Sequence, residues 1–299
     1  MTTSSLKKPD WIRVKAPAGG TLKRVTGVLE EHRLCTVCDE AQCPNKGECW
    51  GAGTATFMLL GDVCTRSCRF CAVSSGRRGR ELRPDEGPAI AQAARELGLA
   101  YLVLTSVDRD DLADRGAGHF ASCIAAVKRT VPGIAVEALI PDYTGAETAL
   151  VAEAQPDVIA HNVETVPSLQ GIRDRRASFE KSLSALKDAK TAGVTITKSS
   201  LLLGLGEKEP EVLSAMDALR TADVDILVLG QYLQPTQRQI PVAEYVSLEQ
   251  FDAYYQAGLS RGFAAVIASP LARTSYRAFA AFTRAVRAGH REENRGYAH

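Results

Sequence analysis

The sequence predicts an α/β fold built on a parallel sheet, and three observations predict it. Seven short apolar runs sit at 55–60, 100–105, 134–139, 158–162, 194–199, 226–229 and 263–267. Six longer amphipathic runs fall between them, at 86–97, 118–130, 144–154, 178–192, 209–221 and 247–261. The strand-like runs end in polar residues or in a cysteine loop. Near-continuous apolar strands belong to a sheet buried on both faces, and the intervening helices are the crossovers that parallel strands need. Six or seven such units fit an open or partial (β/α) barrel better than a closed eightfold one. Ligands of such sheets gather at the carboxyl ends of the strands, which is where the polar residues lie.

Composition narrows the function classes. Among 299 residues, 45% are apolar and 24% charged, with a formal net charge of +1. A dedicated nucleic-acid binder would show a basic excess, so nucleic acid is excluded as a partner. No apolar run reaches membrane-span length, and residues 1–10 lack the apolar stretch of a secretory leader, so a cytoplasmic setting without a membrane partner is expected. In a reducing compartment, eight cysteines point to metal or catalysis rather than disulfides.

Taken in order, residues 1–34 hold few apolar side chains and read as an extended arm packed on the main domain. Cys38, Cys43 and Cys49 then stand at C-x₄-C-x₅-C spacing on a loop held by Pro44 and Gly47. They offer three thiolates. Spacing alone leaves Cys35 open as a fourth, and with it a zinc loop of Cys35, Cys38, Cys43 and Cys49. After the first strand-like run come Cys64, Cys68 and Cys71 at C-x₃-C-x₂-C spacing. Four-iron clusters normally take four cysteines, so three leave one iron open for chemistry, and the spacing fits zinc poorly. Cys123 stands alone in a helical pattern and reads as a small buried apolar residue.

Gly98, Gly193 and Gly262 follow helical runs at the expected stops. The strand ends present Thr105-Ser106-Val107-Asp108, Pro141-Asp142, His161-Asn162-Val163-Glu164, Lys198-Ser199-Ser200 and Gln231. Convergent polar groups around one mouth are how a small charged ligand is held. His161 is given no role. Leu203-Gly204-Leu205-Gly206-Glu207 fails as a dinucleotide fingerprint; Gly204 is either a ligand contact or a plain strand-to-helix turn. Arg66, Arg69, Arg77, Arg78, Arg80 and Arg83 form a basic stretch, either a solvated face or a dock for an acidic partner. A helix is expected at about 277–288, then a polar tail.

The C-x₃-C-x₂-C run resembles the signature of the radical S-adenosylmethionine (SAM) enzymes, and its pairing with C-x₄-C-x₅-C resembles the lipoyl synthases. Arg273-Thr274-Ser275-Tyr276 resembles that family's Arg-Ser-Ser-Tyr segment, with Thr274 replacing the first serine. The resemblance implies a partial (β/α)₆ barrel, an N-terminal cluster-binding arm over 1–53, a barrel over 54–268 and a C-terminal extension over 269–299. It implies two [4Fe-4S] clusters and SAM as cofactors. Cys64, Cys68 and Cys71 would hold the SAM-binding cluster. Cys38, Cys43, Cys49 and Ser275 would ligate the auxiliary one, and the equivalent of Cys35 would not.

The implied activity is radical insertion of two sulfur atoms at C6 and C8 of a protein-bound octanoyl chain, with the auxiliary cluster as donor. The implied partners are the glycine cleavage H protein, the lipoyl domains of 2-oxoacid dehydrogenase acyltransferases, and a reductant such as flavodoxin or ferredoxin. The resemblance also places SAM at the barrel mouth; its contacts are assigned by residue type. Thr105 and Ser106 would donate to its carboxylate, Asn162 and Glu164 would bind ribose, and Arg173 or Lys198 would either pair with the carboxylate or stand as a solvated charge. Gly204 would approach the adenosine portion. The rival readings are a radical-SAM enzyme whose auxiliary cluster only carries electrons, and a non-catalytic iron–sulfur scaffold.

Overall fold

The computed structural model describes residues 6–12, 19–41, 43, 45–51 and 55–296. Pro44 and the last three residues of the expected tail lie outside them. The N-terminal region carries helix α1 (Gly19–Glu31), the short strand β1 (Cys35–Thr36), and helices α2 (Val37–Glu40) and α3 (Lys46–Gly51). Then come β2 (Ala55–Leu59), β3 (Val63–Cys64), β4 (Ser74–Ser75), α4 (Glu86–Leu97), β5 (Tyr101–Ser106), α5 (Ala117–Thr130), β6 (Ala135–Leu139), α6 (Ala146–Glu153) and β7 (Val158–Ala160). The chain continues through α7 (Phe179–Thr191), β8 (Ile196–Leu203), α8 (Glu209–Thr221), β9 (Ile226–Gln231), α9 (Leu248–Ser260), β10 (Ala265–Ser269) and α10 (Ala278–Gly296).

The main sheet runs in the order β1-β2-β5-β6-β7-β8-β9-β10. The strands from β2 to β10 pair in parallel, and β1 adds antiparallel to β2. No ladder joins β10 back to the first strands among the described residues, so this is an open sheet of the expected α/β class. The helices start and stop as local chemistry dictates. Ser178 and Ser247 cap α7 and α9 by accepting from the amides of Lys181 and Gln250. Gly98 closes α4 at φ 65°, a left-handed conformation open to glycine at little cost.

Alternation along the strands divides the core in two. Leu102 and Leu104 of β5 pack under α4 and α5 with Ile90, Phe120 and Ile124, while Leu227 and Leu229 of β9 pack under α8 and α9 with Met216 and Phe251. The opposite face meets α10: Ala281 and Ala285 contact Val158, Ile196 and Ile226, and Ala278 contacts Tyr101 and Val103. Both faces are covered, hence the unbroken apolar runs. The terminal helix is longer than expected, running to Gly296, and its Ala278, Ala281 and Ala285 pack on this face.

Two expectations need correction. The N-terminal arm is not simply extended. It contains α1, whose Val25 and Leu29 join the same apolar cluster as Cys38, Trp50, Phe57 and Leu59. Burying side chains of this size contributes about 1.5–3 kcal/mol each, enough to fix a helix that could not stand alone. Lys198 is also not at the mouth. It sits one turn of the pleat below Ser200, fully buried, with Nζ 2.9 Å from both carboxylate oxygens of Glu137. Tyr101 donates to the same carboxylate at 2.6 Å.

This pair gives a stability prediction. Lys198→Met strands a buried carboxylate and is expected to cost about 3–5 kcal/mol. Adding Glu137→Leu should restore most of it, as read from chemical denaturation of the holoprotein. A double-variant loss equal to the sum of the two single-variant losses would show that the two groups are not coupled.

Candidate functional site

The second cysteine triplet is held by its own loop and by three neighbouring strand ends. β3 and β4 pair in parallel and turn the loop back on itself, with Gly76 N donating to Cys64 O at 2.9 Å. Thr65 N donates to Asp108 O, Arg69 N to Ile172 O, and Gln239 Nε2 to Cys71 O. Two amides donate to sulfur: Arg66 N to Cys64 Sγ at 3.4 Å and Asp174 N to Cys68 Sγ at 3.3 Å. Hydrogen bonds to sulfur are one means by which proteins tune iron–sulfur centres.

Arg66 is not part of a solvated basic face. Its guanidinium is 4% exposed and ion-paired with Asp108, Asp110 and Asp142, so it anchors the loop to the strand ends. Arg80 pairs with Asp62 and Arg83 with Asp85, which leaves Arg69, Arg77 and Arg78 as the exposed remainder of that stretch.

The first triplet is built by α2, the following loop and α3. Thr36 caps α2, and Cys43 N donates to Cys38 O at 3.0 Å. Gly47 lies within α3 rather than in a loop. Burial, then the neighbouring Cys43, pushes the Cys38 thiol up to about 11. Burial followed by Cys43 and Cys38 pushes Cys49 up to about 12. Cys35 does not line the cavity that Cys38, Cys43 and Cys49 share. Burial raises its thiol, and the charges around it are Asp62, Glu40, Glu86 and Arg83, with no cysteine among them. A zinc loop of Cys35, Cys38, Cys43 and Cys49 thus finds no support in the cavity that the other three cysteines line.

The C-terminal segment lands on this triplet. Asn45 Nδ2 donates to Leu271 O at 2.5 Å, and Tyr276 Oη donates to Glu48 Oε1 at 3.0 Å. Ser275 thereby lines a cavity of about 430 Å³ together with Cys38, Cys43, Cys49, Arg273 and Thr274. Among the described residues the Ser275 hydroxyl bonds to no protein group, so it does not serve as the cap of α10.

A second cavity of about 250 Å³ is lined by Cys64, Cys68, Cys71, Thr105, Ser106, Asp108, Asn162, Glu164 and Arg173. Val37, Phe70, Cys71, Leu139, Asn162 and Glu164 line both cavities and form the wall between them. Glu164 is held with φ 64° by a bridge to Leu201, and Asn162 Nδ2 donates to its Oε1 at 3.1 Å. Thr274 Oγ1 lies 3.1 Å from Asn162 Oδ1, tying the C-terminal segment to the strand end. Burial pushes the Glu164 carboxyl up against the pull of Arg173.

Some expected contacts are not available. Thr105 gives its hydroxyl proton to Leu139 O at 3.1 Å and has none for a carboxylate; the buried Ser106 Oγ has no partner. Gly204 is a turn and not a ligand contact. At φ 88°, a Cβ there would lie 2.2 Å from both Gln231 Nε2 and Glu244 O, outside both cavities. Gln231 donates to the carbonyls of Leu203, Tyr232 and Glu244, so it braces that turn and does not face a ligand.

The donor sets fit clusters rather than single ions. Burial, then Asp108, pushes the Cys64 thiol up to about 12; burial pushes Cys68 up to about 11 and raises Cys71. Such thiols lose their protons only to a strongly positive guest. A single tetrahedral zinc would draw its sulfurs to within about 3.8 Å of one another, given Zn–S bonds of about 2.3 Å. Among the described residues, the one group of three His, Cys, Asp or Glu whose ligand atoms all lie within 4.8 Å is Glu86, His119 and Cys123. Neither triplet does so, as suits the wider corners of an iron–sulfur cube. In the Glu86 group the carboxylate already accepts from the Leu60 amide and the His119 ring. It braces α4 against the end of β2.

Sequence reasoning missed Arg66, Asp108, Thr274 and the partners of Arg173. The signal for Arg66 was its place between ligating cysteines; its three carboxylates lie 42 to 76 residues away in the chain and could not be read locally.

A family model for the radical SAM superfamily matches residues 58–219. The chain is 52% identical over 277 residues to a lipoyl synthase of Halorhodospira halophila, covering 91% of this chain and 83% of that protein. It is 52% identical over 275 residues to a lipoyl synthase of Pyrobaculum arsenaticum, covering 90% and 93%. The crystal structure of methylornithine synthase superposes with a TM-score of 0.56 at 14% identity, over 82% of this chain and 71% of that one, and shares the fold.

Proposed function

The chain belongs to the lipoyl synthases of the radical SAM superfamily, and from that premise we propose that it inserts two sulfur atoms, at C6 and C8, into an octanoyl chain carried by a lipoyl carrier protein. The observation that supports this is the shared wall. The two cysteine triplets line separate cavities that meet at Phe70, Asn162 and Glu164, so a chain lying along that wall reaches both. Cys64, Cys68 and Cys71 would hold a cluster that supplies the electron for reductive cleavage of SAM, and Cys38, Cys43, Cys49 and Ser275 would hold one that supplies the sulfur.

The remaining work belongs to the chain's own residues. Asn162 and Glu164 present acceptors to ribose hydroxyls. Arg173, buried and without an ion pair among the described residues, is suited to the SAM carboxylate, because a buried cation requires an anion. Leu139, Leu202, Val228, Leu233 and Ala272 give the larger cavity an apolar lining that suits an alkyl chain and excludes water. The segments 1–53, 54–268 and 269–299 then divide the labour: auxiliary arm, SAM barrel, and the strap that closes the auxiliary site. The glycine cleavage H protein and the lipoyl domains of 2-oxoacid dehydrogenases are the carriers of this reading, with flavodoxin or ferredoxin as reductant. Among the described residues no helix is long and apolar enough to cross a membrane.

The test is the mass of an octanoyl-lysyl peptide after anaerobic incubation of the reconstituted protein with SAM and dithionite. Gain of two sulfur atoms is expected. 5′-Deoxyadenosine without sulfur gain would favour an electron-carrying auxiliary cluster; absence of SAM cleavage would favour a scaffold.

A further inference from the structure

Arg173 is held along one edge only. Its Nη1 donates to Ser182 Oγ at 2.9 Å and Gln170 Oε1 at 3.0 Å, with the carbonyls of Val163 and Ser178 at 3.3 Å. Among the described residues, Nε and Nη2 make no hydrogen bond. The guanidinium is thus fixed by one nitrogen and keeps two parallel donors, the arrangement that suits a bidentate carboxylate.

The fixing partner has a fixed polarity of its own. Ser182, on α7 and fully buried, lies 2.8 Å from His161 Nε2. His161 Nδ1 lies 3.0 Å from the Ile140 carbonyl. A carbonyl only accepts, so Nδ1 carries the proton and a neutral ring must accept at Nε2. The Ser182 hydroxyl therefore donates to His161, which turns its oxygen lone pairs to Arg173. Burial, then the charge of Arg173, holds the His161 ring down to about 4 and so neutral. The hydrogen bonds run one way, from guanidinium to Ser182 to His161 to the carbonyl that ends β6. All three side chains line or back the cavity of the second triplet.

We infer that His161, acting through Ser182, is a positioning residue that presents the free edge of Arg173 to the carboxylate of SAM. This rests on the reading of that cavity as the SAM site. Without the histidine acceptor, the serine hydroxyl is free to turn its proton toward the guanidinium, and the clamp on Nη1 is lost.

The test uses the reconstituted holoprotein without reductant, with SAM affinity measured by equilibrium filtration. Iron content and thermal midpoint report folding. Ser182→Ala and His161→Phe are each expected to weaken SAM binding about tenfold, the size of one hydrogen bond to a charged group. His161→Gln, which can still accept from Ser182, should recover most of that. The effect on 5′-deoxyadenosine formation should fall on KM for SAM, with kcat changed less than about twofold. In an Arg173→Met background, Ser182→Ala should add nothing. Wild-type affinity in Ser182→Ala, or an equal loss in the Arg173→Met background, overturns the positioning role. Wild-type affinity in Arg173→Met also overturns it, while the cavity reading stands if the Cys64/Cys68/Cys71→Ala protein loses SAM. If that triple variant binds SAM normally, the cavity reading itself fails.

Discussion

Alanine at Cys64, Cys68 and Cys71 together is expected to abolish 5′-deoxyadenosine formation while leaving about half the iron, if each triplet ligates a cluster of its own as proposed. The argument is geometric. The two triplets sit on different elements, β3 and its loop against α2 and α3, and in cavities whose common border is side chains rather than a shared thiolate set. Only Cys71 touches both. On the proposed reading, loss of the second triplet would remove the open iron on which SAM depends, and the first cavity would not replace it. The loop itself should stay folded, because Arg66 and its three carboxylates hold it independently of metal. Iron and sulfide analysis after anaerobic reconstitution, with chromatography of the nucleoside products, reads both outcomes. Unchanged iron, or zinc in its place, would refute the two-cluster assignment.

The converse substitution separates sulfur donation from SAM cleavage. With Cys38, Cys43 and Cys49 all alanine, 5′-deoxyadenosine should still form and no sulfur should enter the octanoyl peptide. Ser275 refines this. A serine oxygen is a harder partner for iron than a thiolate, and soft sulfur ligands suit iron–sulfur centres. Ser275→Cys should therefore retain the cluster but slow sulfur insertion, and Ser275→Ala should lose iron on dilution. Cys35→Ala should leave iron and activity unchanged, because that thiol does not line the cavity shared by Cys38, Cys43, Cys49 and Ser275. A dithiolated product from the triple variant would remove the auxiliary cluster as sulfur source. Iron loss in Cys35→Ala with none in Ser275→Ala would exchange their roles.

The sequence by itself determined what local pattern can carry. Both faces of the sheet are buried, so β2 and β5 to β10 read as apolar runs, and each crossover helix declared its stripe and often its cap or stop. The cysteine spacings were equally legible, because three thiols within a dozen residues are close along the chain whether a loop or short helices carry them. What escaped was whatever depends on partners far along the chain. A period of two places Lys198 on the concave face but gives no depth, and depth decided that it pairs with Glu137 and not with a ligand. Composition cannot tell Arg66, clamped by three carboxylates, from its exposed neighbours Arg77 and Arg78. Gly204 stayed open between a ligand contact and a turn because only the fold brings Gln231 and Glu244 against it. The same is true of the strap: Tyr276 meets Glu48 across 228 residues, and that contact sets Ser275, and not Cys35, beside the first triplet. Spacing fixes which thiols are neighbours along the chain, whereas long-range packing fixes the direction each one faces.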